Sequence, residues 1–135
     1  MYIGITQKRI DDPFEVYLAY FLGHEYTHHV QAMNGIFTKY YPAARAEAGE
    51  NGKLELSRRL ELQADCFSSA FVGSVRGTLP VKASDWKYLI DWKRENGGKH
   101  WPKNDHGQGT TQAYWMEKGF NTGCNTWTAP GKRVT

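Results

Sequence analysis

The stretch DPFEVYLAYFLGHEYTHHVQAMNG, residues 12–35, decides how this chain is read. Asp12 suits an N-cap and Pro13 suits the first helical position. Phe14, Tyr17, Leu18, Phe21 and Leu22 recur at helical spacing, continued by Val30 and Met33. Asn34-Gly35 offers a left-handed stop. The pattern predicts one helix from Asp12 or Pro13 to about Asn34, carrying His24-Glu25-Tyr26-Thr27-His28 on its later turns.

Helical residues four apart share a face, so His24 and His28 can turn their ring nitrogens to one metal ion. Glu25 lies about 100° round from His24, where a carboxylate can take a proton from a metal-bound water. With the His and Glu content of this chain, chance writes such a triplet in about 1% of cases. Two ligands do not complete a catalytic zinc site, which takes three protein ligands and a water. Downstream stands Glu61-Leu62-Gln63-Ala64-Asp65, with Glu61 and Asp65 again four apart inside an apolar run. Bare carboxylates there would be costly to bury. Glu61 as third ligand, and Asp65 as acceptor for the far N–H of a ligand histidine, would satisfy both. The plainer alternative is two water-facing carboxylates pairing with Arg58 or Arg59. The longer signature HExxHxxGxxH is excluded, because Gln31 and Asn34 occupy its glycine and third-histidine positions.

Outward from these motifs the chain reads as mainly α, α+β at most. Met1 to Thr6 is expected as a short strand. Residues 35–52 read as a loop with a short helical turn over 43–48. A second helix spans roughly Lys53 to Val75, with Leu56, Leu60, Phe67 and Phe71 marking its buried face. A third runs from Ser84, as cap, to Asn96, and a fourth from about Thr110 to Phe120. Between them lies the polar, glycine-rich loop 97–109, and an irregular tail follows Asn121.

The 135 residues fit one domain, 1–135, able to bury a single sizeable core. Net charge is +3 and the basic residues are scattered, without the stripe that a nucleic-acid backbone requires, so no nucleic-acid partner is expected. No apolar run is long enough to span a membrane, and MYIGITQKRIDD lacks the apolar core of a signal peptide. The chain is expected to be cytoplasmic, or extracytoplasmic or membrane-anchored if an export segment lies outside it. Cys66 and Cys124 form no CxxC, which argues against a sulfur-based zinc site. They could pair in an exported protein or stay free in a cytosolic one.

HEYTHHVQ, ELQADCF and DHGQGTTQAYWMEKGFNTGCNTW, in this order over residues 15–127, resemble the bacterial "putative neutral zinc metallopeptidase" family. The resemblance implies a zincin-like, largely helical core with little sheet, a Zn2+ cofactor and a peptide or protein substrate. It places metal ligation on His24, His28 and Glu61, and catalysis on Glu25. Cys66 and Cys124 fall on cysteines of the family pattern, consistent with export and a disulfide, though not necessarily with each other. Family members carry further sequence ahead of HEXXH, whereas 23 residues precede His24 here. The chain is therefore expected to be a C-terminal portion or a short member.

His106 sits at the family's HG position and has two readings: a donor to the oxyanion formed during peptide hydrolysis, or a loop histidine that caps the fourth helix or faces solvent. His100 has no motif support. His29 is read as a residue that packs or supports a ligand from behind, Tyr26 as packing rather than as an oxyanion donor, and Trp86, Trp92, Trp101 and Trp115 as core or groove wall. Two functions follow. The first is a peptidase with Glu25 as general base; the second is a zinc-stabilised domain that binds peptides or a partner without cutting.

Overall fold

A computed structural model describes residues 4–135. Six α-helices follow one another in the order α1 (Gln7–Asp11), α2 (Glu15–Met33), α3 (Ile36–Ala46), α4 (Glu50–Val75), α5 (Ala83–Asn96) and α6 (Gly109–Asn121). A 3-10 turn at Gly131–Arg133 closes the tail. The fold is mainly α, and no strand occurs among the described residues. Of the expected strand, residues 1–3 lie outside the described residues, and Gly4 to Thr6 are irregular.

The long helix of the HEYTH segment forms, but it begins at Glu15, behind Phe14, so Asp12 does not cap it. It stops at Asn34, and Gly35 takes the left-handed conformation, φ 71°. The loop expected over 35–52 is instead α3 followed by the first turn of α4. Pro42 lies inside α3, which buries none of its residues. Lys82, not Ser84, precedes α5.

The 26-residue α4 is the axis of the molecule, lying against α2 on one side and α6 on the other, with α5 buttressing α6. One core joins Val16, Tyr20, Val72, Trp86, Leu89, Ile90, Ala113 and Met116 from α2, α4, α5 and α6. A second joins Leu62, Cys66, Trp115 and Val134, and so packs the tail onto α4 and α6. Cys66 and Cys124 form a disulfide that ties the tail to α4.

The buried faces of α2 and α4 differ from those expected. On α2 the buried residues are Val16, Tyr20, Thr27 and Gln31, while Leu22, Val30 and Met33 are exposed. On α4, Leu60 is buried but Phe67 and Phe71 are exposed; Leu62, Asp65, Ser68, Ser69 and Val72 are buried instead. The cause is polar: the seam between the two helices is built from hydrogen-bonded side chains, so apolar periodicity does not mark it. Tyr26 and His29 are exposed rather than packed inside, with their rings 5.7 Å apart on the outer side of α2. Trp86 and Trp115 belong to the cores, while Trp92 and Trp101 are exposed. No helix among the described residues is long and apolar enough to cross a membrane.

Candidate metal centre

The seam between α2 and α4 brings His24, His28 and Glu61 together. Their facing atoms form a near-equilateral triangle: His24 Nε2 to His28 Nε2 is 3.2 Å, and Glu61 Oε2 is 3.3 Å from each. The helical spacing produces this, since the two histidines stand one turn apart on α2 and Glu61 faces them from α4.

Each imidazole is held from behind. His24 Nδ1 lies 2.9 Å from Asp65 Oδ1, and a carboxylate can only accept, so Nδ1 carries the proton. Asp65 is itself buried and also accepts the Tyr20 hydroxyl. His28 Nδ1 lies 2.8 Å from Gln31 Oε1. The Gln31 amide is oriented by its Nε2, which donates to the Leu60 carbonyl at 2.9 Å and to Gln63 Oε1 at 3.1 Å. His28 Nδ1 must therefore donate as well. With both Nδ1 atoms protonated, the two Nε2 lone pairs point at each other and at a carboxylate oxygen.

That arrangement suits a cation. Glu61 Oε2 is buried and has no hydrogen-bond donor. Ligands about 2.0–2.1 Å from a tetrahedral ion stand about 3.3 Å apart, the spacing of this triangle. Two imidazoles, one carboxylate and an open fourth position are the donor set of a catalytic zinc site. Among the described residues, His24, His28 and Glu61 are the group that could hold a metal ion. Without a metal, a proton takes its place. Burial opposes charge on His24, but its bonds to Asp65 and Glu61 outweigh that and raise its pKa to about 9. His28 is raised in the same sense. Burial also opposes charge on Glu61, yet the two histidines hold it well below the usual carboxylate range. Asp65 likewise stays low despite its burial, chiefly through the field of Lys93 and the His24 bond.

The triangle opens into a cleft of about 350 Å³. Glu25 lines it beside Tyr17 and Phe21, and Lys93 and Gln112 form another part of its wall. His106 reaches it from the glycine-rich loop, with Nε2 3.5 Å from Glu61 Oε2. The His106 ring stacks on Trp101, centroids 3.9 Å apart and planes within 6°, and Nδ1 meets Asp105 Oδ1 at 2.6 Å. It thus faces the cleft and neither caps α6 nor turns to solvent. His100 is exposed and does not line the cleft. Arg58 and Arg59 do not pair with Glu61 or Asp65. Arg58 donates to the carbonyls of Val134 and Asn104, and Arg59 to Glu55 and the carbonyls of Thr126, Trp127 and Ala129.

Sequence reasoning missed Gln31, Tyr20 and Lys93 as parts of the site, and read Trp101 only as core or groove wall, of which the wall is what the structure shows. For two of them a signal was present: Tyr20 is four residues before His24 and Gln31 three after His28, both within side-chain reach on a helix. Lys93 and Trp101 come from separate elements and carry no such local mark.

The family model described as "Putative neutral zinc metallopeptidase" matches residues 5–127. The chain is similar to the "Uncharacterized protein YpfJ" of Escherichia coli strain K12, 29% identical over 125 residues, covering 79% of this chain and 42% of that protein. The YpfJ protein of Escherichia coli O6:H1 strain CFT073 gives the same figures. The chain therefore spans about two fifths of the length of these curated relatives. No solved structure matches it. Since the family match runs through α1 to α6 and into the tail, this chain belongs to the neutral zinc metallopeptidase family.

Proposed function

We propose that the chain hydrolyses peptide bonds with a zinc ion held by His24, His28 and Glu61 and with Glu25 as general base. The observation that carries this reading is the triangle of two histidine lone pairs and the buried Glu61 oxygen that no donor satisfies. Zinc bound there would act as a Lewis acid, acidifying water and polarising a carbonyl. The remaining steps belong to this chain's residues. Glu25, on the cleft wall one residue past His24, takes a proton from the attacking water and returns it to the leaving amine. Asp65 and Gln31 hold the two imidazoles in the tautomer that presents Nε2. His106 lends a hydrogen bond to the substrate oxygen as it gains charge. Asp105 accepts from Nδ1 and holds the ring at the cleft, so a hydrogen bond from Nε2 to the substrate requires a proton on both ring nitrogens. The aromatic walls of Tyr17, Phe21 and Trp101 suit an extended peptide. The Cys66–Cys124 disulfide supports an extracytoplasmic setting.

The test is Glu25→Gln, with bound zinc and cleavage of an unfolded protein both measured. Zinc content should stay unchanged while turnover falls by about 10²–10⁴-fold. Turnover that survives, or is lost only in proportion to zinc, would remove Glu25 from the role of base.

A further inference from the structure

One cation lines the cleft with no carboxylate in ion-pair contact. Among the residues lining it, Lys93 is the one lysine or arginine. Its ammonium stands over the Tyr20 ring, 5.3 Å from the centroid, on the side of the cleft where Tyr20 and Asp65 back His24. Among the described residues its one hydrogen bond runs to Gln112 Oε1, at 3.2 Å, and no carboxylate pairs with it. Asp65 feels its charge, but the Asp65 oxygen nearest the site is already taken by the Tyr20 hydroxyl and the His24 N–H. The neighbouring Arg94 is committed to Asp91 and Glu117 and does not enter the cleft.

An ammonium has three donors, and one of those on Lys93 is occupied. Lys93 is half-buried. Gln112, its partner, is buried, and pins its own amide by donating to the Gly107 carbonyl at 2.7 Å. A partly desolvated, pre-positioned cation with free donors is built to receive an anion.

Resting on the metal reading above, we infer that Lys93 is a specificity residue that binds a carboxylate of the substrate. That carboxylate is either an acidic side chain close to the scissile bond or a free C-terminus. The chemistry is the same in both cases: an N⁺–H···O⁻ bond in a cleft with aromatic walls, aimed at a group that enters beside the metal.

Short hydroxamates test this on the zinc-loaded chain by calorimetry, without relying on turnover. Acetohydroxamate reports the metal alone. Monohydroxamates of dicarboxylic acids, with two to five methylenes, add a carboxylate at increasing reach. At least one of the series should bind about tenfold or more tighter than its methyl-ester counterpart. Lys93→Met should abolish that ratio while leaving acetohydroxamate binding in place. Lys93→Glu should invert it toward an amine-tailed hydroxamate. If the ratio is one in the parent chain, or survives Lys93→Met, or if Lys93→Met weakens both ligands equally, the inference falls and the metal reading stands. If acetohydroxamate itself fails to bind, the metal reading falls and this one with it. Displacement of the tight hydroxamate by N-acetyl-Ala-Glu-amide marks the side chain as the source; displacement by N-acetyl-Ala-Ala with a free carboxylate marks the C-terminus. Displacement by neither overturns the assignment.

Discussion

At the scale of single residues, the two histidines are held by different partners. His24 leans on a buried carboxylate, Asp65; His28 leans on a neutral amide, Gln31. Gln31 is fully buried and has its polar atoms satisfied by His28, the Leu60 carbonyl and Gln63. Gln31→Leu would keep the volume but strand the His28 N–H and Gln63 Oε1, while the Leu60 carbonyl keeps its partner within α4. Zinc affinity should drop about 10–100-fold, read by competition with a chelator; an unchanged affinity would mean that His28 needs no orienting partner. The metal-free site also fixes a pH dependence. Burial lowers the tendency of His24 to charge, but its hydrogen bonds raise the folded pKa to about 9, above about 6.5 in the unfolded chain. The imidazolium therefore stabilises the fold fully below about pH 6.5, and that contribution is lost as pH rises through about 9. Melting temperatures of metal-free protein should fall across this window. With zinc present the trend reverses, because protons compete with the metal for the same Nε2. A metal-free melting curve flat from pH 6.5 to 9 would contradict the short bonds around His24. The ligand and base positions were legible in the sequence because helical spacing encodes them locally. The supporting residues were less so: Lys93 and Trp101 reach the cleft only through the packing of α5 and the 97–108 loop.

At the scale of elements, α2, α4, α5 and α6 were legible, α1 and α3 were not, and neither were the faces that α2 and α4 bury. α5 and α6 begin and end within about two residues of the sequence expectation, since Asn96-Gly97-Gly98 and the loop glycines punctuate them. The stripes on α2 and α4 misled because a seam that holds a polar site buries Tyr20, Thr27, Gln31, Gln63, Asp65 and Ser68 and turns Leu22, Tyr26, Val30, Phe67 and Phe71 outward. Those five, with Gly23 and Thr27, line a separate apolar groove. Small residues set how closely the helices approach. At Gly119 on α6, an added Cβ would stand 2.0 Å from the Cys66 carbonyl oxygen of α4. Backbone cannot yield as a side-chain tip does, so Gly119→Ala must separate the two helices. It should cost about 1–3 kcal/mol, measured by chemical denaturation. Gly123→Ala, where a Cβ meets nothing within 4 Å, is the matched control and should be close to neutral. Equal effects at the two positions would show that the α4–α6 contact does not limit the packing.

At the scale of the whole molecule, the tail is fastened at three kinds of joint. Arg58 and Arg59 on α4 bind its carbonyls, Trp115 Nε1 donates to the Arg133 carbonyl at 2.7 Å, and the disulfide links Cys66 to Cys124 across 58 positions of sequence. Arg58 also holds the Asn104 carbonyl, in the loop that carries His106. Two outcomes of breaking the disulfide can therefore be separated. In the chain-entropy account, a loop of this size restricts the unfolded chain and is worth about 4 kcal/mol. On that account the paired change Cys66→Ser and Cys124→Ser lowers the melting temperature of the metal-free and zinc-loaded protein by similar amounts. Zinc affinity stays within a few fold, because His24, His28 and Glu61 lie on helices that Tyr20–Asp65, Gln31–Gln63 and Ser68–Tyr20 still clamp. If the bond instead held the site through the tail, zinc affinity would fall along with stability. The zinc-loaded protein would then lose more melting temperature than the metal-free one. The first outcome is expected, since α4 is anchored to α2 by side chains that neither the tail nor the disulfide touches. Comparing the two shifts under reducing and oxidising conditions decides between them.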